Sequence, residues 1–96
     1  MSSYSAFGPG ITLAADAAST SAALPLQGTS PPRLVRVATT GPAYVRVGTS
    51  GVAAVAGDMM VLPNEALVLN VGGCTHIAAL QVSAAATVQV SAVDAA

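Results

Sequence analysis

The sequence predicts an all-β fold: a single small β-sandwich, jelly-roll-like, of about seven or eight short antiparallel strands. Apolar and polar residues alternate with a period of two along much of the chain, as on half-buried strands. Nine glycines and six prolines separate these stretches at short intervals, as turns do. The alanine-rich run 14–23 lacks the wide apolar stripe of a stable helix. Sandwich and jelly-roll connectivity are both open at this point.

The first ten residues predict a flexible N-terminal arm, and residues 11–96 the sandwich domain. The arm is rich in Ser, Gly and Pro, yet it holds two of the chain's three aromatic residues, Tyr4 and Phe7. We expect either a disordered tail or an arm that docks these two rings on a neighbouring subunit.

Residues 11–15 and 21–26 predict the first two strands. Residues 33–37 and 44–47 then predict a hairpin around Gly41, with its valines on the inner face. In that hairpin Arg36 and Arg46 lie close together on the exposed face, beside Tyr44. Arginine suits carboxylates at interfaces and tyrosine adds apolar contact, so these three residues are candidate partner-binding residues. The alternative is an ordinary solvated face.

The second half of the chain predicts four further strands, at residues 59–62, 67–71, 76–82 and 87–91. Residues 49–57 predict a loop or weak strand, and Pro63-Asn64 a turn. In the third of these strands Ala78, Leu80 and Val82 are expected inward, with His76 at the rim of the core. In the last, Val88 and Val90 are expected inward.

Charged residues are scarce at 7%, and they comprise three arginines, no lysine and four acids, for a net charge of −1. A nucleic-acid-binding surface needs clustered basic residues, so none is expected. The uncharged run 66–93 is interrupted by polar residues and does not predict a membrane span. The N-terminus lacks the basic and apolar regions of a secretory signal. We expect a soluble chain whose thin Ala/Val core is supplemented by contacts in a homo-oligomer.

Catalytic and metal-binding constellations are nearly absent. Cys74 and His76, placed two apart on one strand, would lie about 6.5–7 Å apart, too far for a nucleophile and its base. One His and one Cys do not supply the three or four ligands of a zinc site. Asp58 and Glu65 flank a strand in contexts where acids cap turns. We therefore expect no enzyme activity, cofactor or metal; an interface position for His76 stays open.

Four stretches carry a family resemblance: VRVATTGPAYVRVG, DMMVLPNE, GGCTHIAALQ and ATVQVS, within about two thirds of the chain. Together they resemble small virion proteins of tailed bacteriophages. The resemblance implies a capsid cement or decoration protein, made in the host cytoplasm and located on the capsid surface. It would act as a dimer or trimer that bridges major capsid protein subunits.

Two alternatives remain from the sequence. The chain could be another virion component, such as a head–tail connector, baseplate or fibre-associated protein. A ligand- or sugar-binding β-sandwich is less favoured, because Tyr44 is the one aromatic residue outside the arm and such sites need an aromatic platform.

Overall fold

A computed structural model of the chain describes residues 4–25 and 32–95, with side chains at residues 10–25 and 32–93. These residues form eight strands and no helix, which confirms the all-β prediction. The strands are β1 (Tyr4–Ala15), β2 (Thr20–Ala23), β3 (Leu34–Thr39), β4 (Ala43–Gly48), β5 (Met59–Val61), β6 (Leu67–Asn70), β7 (His76–Gln81) and β8 (Ala86–Ala95).

The strands form two antiparallel sheets of four. The first sheet has the order β1-β8-β3-β6 and the second the order β2-β7-β4-β5. The first strand pairs with the last, the second with the seventh, the third with the sixth and the fourth with the fifth. The chain therefore folds like one long hairpin rolled into two layers. This strand order is that of a jelly roll, and it resolves the connectivity that the sequence left open.

The core between the two sheets consists of small aliphatic side chains. Its largest fully buried members are Ile77, Val35, Val37, Val61, Val71, Val88 and Val90. Within the described part of the chain, no polar or charged side chain is buried. Each valine removes less apolar surface from water than a leucine or phenylalanine does, so each stabilises the fold modestly.

The predicted hairpin between β3 and β4 is wrong. β3 pairs with β6 and β8, whereas β4 pairs with β5 and β7, so the two strands lie in different sheets. Two hydrogen bonds between Thr40 and Thr87 tie the connection to β8, and the chain crosses from one sheet to the other there. The valines still face inward, as predicted, with Val35 and Val45 at 0% and 2% exposure. They face the core from opposite layers.

The predicted facing of β7 is also wrong. Ile77 and Ala79 belong to the core, so His76, Ala78 and Leu80 lie on the other, outer face of the second sheet. The reason is that residues 77–80 are all apolar, and alternation then carries no information about which face is inner. In β8 the alternation is clear, and Val88 and Val90 are buried as predicted.

The first strand begins at Tyr4, within the predicted arm of residues 1–10. Residues 4–10 belong to β1, which pairs with β8 from Tyr4↔Ala95 to Phe7↔Ala92 and again from Ile11↔Val90 to Ala15↔Ala86. The register shifts between Phe7 and Ile11. Residues 1–3 and the side chains of Tyr4 and Phe7, with their expected docking role, lie outside the described residues.

Most of the remaining strand predictions hold within a residue or two, but β8 continues to Ala95, four residues beyond its predicted end. β5 and β6 match the predicted strands, residues 49–58 contain no strand, and Asn64 adopts the positive φ of 67° expected of a turn. β2 ends at Ala23, earlier than predicted, and the predicted end at Leu26 lies outside the described residues.

Candidate protein-docking face

The outer face of the first sheet is largely polar. Thr12, Thr87, Gln89, Ser91 and Arg36 occupy outward positions there, alternating with buried core residues. The Gln89 side-chain amide donates a hydrogen bond of 2.6 Å to the Ser91 hydroxyl. Apolar residues also lie on this face: Leu34 and Val68 are half-buried, as Leu80 and Tyr44 are on the other sheet, and Val93, Ala14 and Ala38 complete the set. A polar outer face of this kind is what an antiparallel sheet presents to water.

The outer face of the second sheet combines an apolar row with polar side chains, among them Arg46 and His76. Leu80, Tyr44 and Met60 lie directly opposite one another on the adjacent strands β7, β4 and β5, and so form one row across the sheet. Ala78 lies beside this row on β7 and is fully buried although it faces outward. When another protein surface covers such an apolar row, the row is removed from water and the free energy falls.

Exposed apolar side chains are concentrated around β5. Across the described residues, the large hydrophobic side chains that are exposed are Val55 at 50%, Met59 at 44%, Met60 at 42% and Leu62 at 40%. We refer to these four residues as the β5 patch. β5 is the edge strand of the second sheet, and within residues 4–25 and 32–95 no further strand pairs with its free side. The β5 patch extends the apolar row of Leu80, Tyr44 and Met60 to the rim of the sandwich.

An ion pair holds the loop before β5 in place. The Arg46 guanidinium donates two hydrogen bonds to Asp58 Oδ1, at 2.7 Å from Nη2 and 3.2 Å from Nε. The other carboxylate oxygen of Asp58 accepts a 2.9 Å hydrogen bond from the Val55 backbone N–H. The Val55 N–H and, after it, Arg46 lower the pKa of Asp58 below its ordinary value. Asp58 thus acts as the turn-capping acid that the sequence predicted, and it fixes the position of Val55 in the β5 patch.

The structure separates the arginines that the sequence placed together. Tyr44 and Arg46 lie on the outer face of the second sheet, while Arg36 lies on that of the first, opposite Ser91 and Val68. The expected proximity of Arg36 and Arg46 is wrong, because it rested on the β3–β4 hairpin. Arg46 also pairs with Asp58 of its own chain, so part of its hydrogen-bonding capacity is already used.

Cys74 and His76 do not share a strand, contrary to the expectation. β7 begins at His76, and the Cys74 N–H instead donates to Val71 O in a turn. Cys74 packs partly buried against the core. His76 Nδ1 lies 2.8 Å from the Thr75 hydroxyl, on the outer face of the second sheet. No cluster of three or more His, Cys, Asp or Glu side chains suited to a metal ion occurs in the described ranges.

Sequence reasoning missed the β5 patch. Residues 59–62 read Met-Met-Val-Leu, apolar at every position, which marks a strand covered on both faces or an edge strand with an uncovered apolar side. This run was interpreted only as a short strand. The missing information was its place at the sheet edge, which depends on long-range pairing.

No protein-family model matches the chain, and no curated protein or solved structure matches it. None of the described segments is a helix long and apolar enough to cross a membrane. The difference between the two outer faces is therefore the observation on which a functional inference rests.

Proposed function

We propose that this chain is a non-enzymatic structural protein of a tailed-phage head, a cement protein that docks on the capsid shell. In this proposal the outer face of the second sheet contacts the major capsid protein, and the polar face of the first sheet points to solvent. The observation that carries it is the apolar row of Leu80, Tyr44 and Met60 on that face, together with the exposed β5 patch at the adjoining sheet edge. The resemblance of the sequence to small virion proteins supplies the class of partner.

The composition of the face suits permanent contact with another protein. Tyrosine is enriched among the residues that dominate binding energy, because its ring buries a large area at a small entropic cost. Methionine side chains adapt to irregular partner surfaces. Each Å² of apolar area buried in the contact contributes about 25 cal/mol to the free energy of binding, before the costs of association are subtracted. The Arg46–Asp58 pair satisfies its own charges, so the partner need not supply an opposite charge at this point.

The proposed bridging of capsid subunits follows from the repeated structure of the shell. A shell presents the same site many times at fixed spacing, and a dimer or trimer of this chain would engage several sites together. Linked contacts raise the overall affinity by a factor of about 10² to 10⁴ over a single contact. A small docking face with low affinity per contact, on a 9.3 kDa chain, is then sufficient to cross-link neighbouring capsid subunits.

The proposal is tested by co-sedimentation with empty shells assembled from the major capsid protein of the same phage. We expect the native chain to sediment in a fixed ratio to shell protein, and Met60→Glu to reduce this by at least about tenfold, the effect of removing one dominant interface residue. Thr87→Glu is the matched control: it places the same charge on an exposed strand position of the opposite face. It should sediment like the native chain.

Two outcomes would contradict the proposal. If the native chain stays in the supernatant and instead forms closed rings in solution, a connector or tail component becomes the better assignment. If Thr87→Glu abolishes sedimentation while Met60→Glu has no effect, the docking face has been assigned to the wrong sheet.

A further inference from the structure

The β5 patch contains two adjacent methionines with accessible side chains. Met59 and Met60 are 44% and 42% exposed, whereas Val61, the next residue of the same strand, is fully buried. Met60 lies directly opposite Tyr44 on the outer face, and Met59 lies opposite the inward-facing Val45 at the free edge of the sheet. Both sides of the edge strand therefore present a thioether at the rim of the sandwich.

The exposed fractions of Met59 and Met60 leave both side chains open to a small oxidant such as hydrogen peroxide. In the reaction hydrogen peroxide gives one oxygen atom to the thioether: its O–O bond breaks, an S–O bond forms and water leaves. The sulfur loses two electrons and the peroxide gains them. The product, methionine sulfoxide, is polar and chiral, and reductases convert it back. Cys74, the chain's one thiol, is only partly exposed and packs against the core.

We propose that Met59 and Met60 form an oxidation-sensitive site, and that their conversion to sulfoxides releases the chain from its docking partner. The inference rests on the proposed function, since it takes the β5 patch to be part of the docking face. Sulfoxide oxygens would lie where the partner covers apolar surface, and a buried polar group without a hydrogen-bond partner opposes binding.

The fold itself tolerates the modification. Neither methionine belongs to the buried cluster between the sheets, and β5 is the last strand of its sheet. The sulfoxide oxygens would be solvated in the free chain. Oxidation should therefore change binding while leaving the jelly roll folded, which distinguishes it from oxidation of a core residue.

The test exposes the full chain to hydrogen peroxide and follows three quantities: oxygen uptake at each sulfur by peptide mass mapping, the urea midpoint, and co-sedimentation with empty capsid shells. We expect Met59 and Met60 to oxidise at close to their rates in the urea-unfolded chain, with Cys74 slower. Co-sedimentation should fall at least about tenfold while the urea midpoint changes little. Treatment with the two methionine sulfoxide reductases should restore sedimentation.

The matched control is Met59→Leu combined with Met60→Leu, which keeps side-chain volume and removes both thioethers. Its own sedimentation before peroxide is the reference, and peroxide should leave that value unchanged. Loss of its sedimentation after peroxide would assign the sensitivity to another sulfur and overturn the inference. Oxidised Met59 and Met60 with unchanged sedimentation would overturn it too, while leaving the proposed function intact. If the untreated chain does not sediment, the proposed function fails first, and the release step falls with it.

Discussion

Asp58 connects the loop before β5 to the second sheet. Its two carboxylate oxygens accept hydrogen bonds from Arg46 and from the Val55 N–H, and these bonds favour the ionised form. The same residue thereby sets the position of Val55 within the β5 patch. The charge state of one partly buried carboxylate consequently bears on the shape of the proposed docking face.

This carboxylate should make stability depend on pH. The pKa of Asp58 is lowered in the fold from its ordinary value of 3.8. Its contribution is therefore present above pH 3.8 and lost as the pH falls through the lower folded pKa. Urea midpoints measured from neutral to strongly acidic pH should fall more steeply below that value for the native chain than for Asp58→Asn. Parallel curves for the two proteins would show that the ionised carboxylate contributes nothing.

Gly10 is required by close packing in β1. A side-chain Cβ at this position would collide with the backbone carbonyl oxygen of Val90, which cannot move without distorting β8. Gly10→Ala should therefore destabilise the chain by about 1–3 kcal/mol, the usual cost of overpacking. Gly41→Ala is the control, because its Cβ would meet Ala86 Cβ at an ordinary 3.4 Å. Equal urea midpoints for the two variants would mean that β1 does not approach β8 this closely.

At the scale of the elements, the sequence predicts strands and their faces better than their partners. The alternating valines of β3, β4 and β8 identified the inner face correctly, since burial of β-branched residues depends on local period alone. Their pairing depends on contacts between distant parts of the chain, so β3 and β4 were wrongly joined as a hairpin. Where alternation fails, as in the all-apolar residues 77–80, even the face was assigned wrongly.

The crossing between β3 and β4 can be tested by spin labels at positions 36 and 46, introduced as Arg36→Cys and Arg46→Cys with Cys74→Ala. The two sheets are about 10 Å apart and the labels project in opposite directions, so their separation should exceed about 20 Å. A β3–β4 hairpin would hold the two Cβ atoms about 5 Å apart. A short distance in a pulsed electron spin resonance measurement would contradict the jelly-roll order.

The edge strand β5 explains why the candidate site was only half predicted. Residue type alone identifies Tyr44 and Arg46, and both lie on the outer face of the second sheet. Arg36 lies on the opposite sheet. Met59, Met60, Leu62 and Val55 were not identified, because their exposure results from the position of β5 at the edge of the second sheet. A strand apolar at every position gives the same sequence signal whether it is central or at an edge.

At the scale of the whole molecule, the fold has a thin core and two unlike surfaces. Small aliphatic residues fill the space between the sheets, and each contributes modestly to stability. Most exposed side chains on one outer face are polar, whereas the other outer face carries an apolar row with the β5 patch at its edge, although the chain is almost uncharged. An isolated sandwich would gain nothing from such asymmetry. The asymmetry is useful to a chain that packs against a partner on one side and is solvated on the other.

The central claim is that the outer face of the second sheet is the docking face. Electron cryomicroscopy of shells saturated with the chain tests it most directly, because the two faces differ in side chains and in strand order. We predict density in which Tyr44, Met60 and Leu80 contact the shell and Thr12, Thr87 and Gln89 point to solvent. Density with the polar face of the first sheet against the shell would contradict the claim.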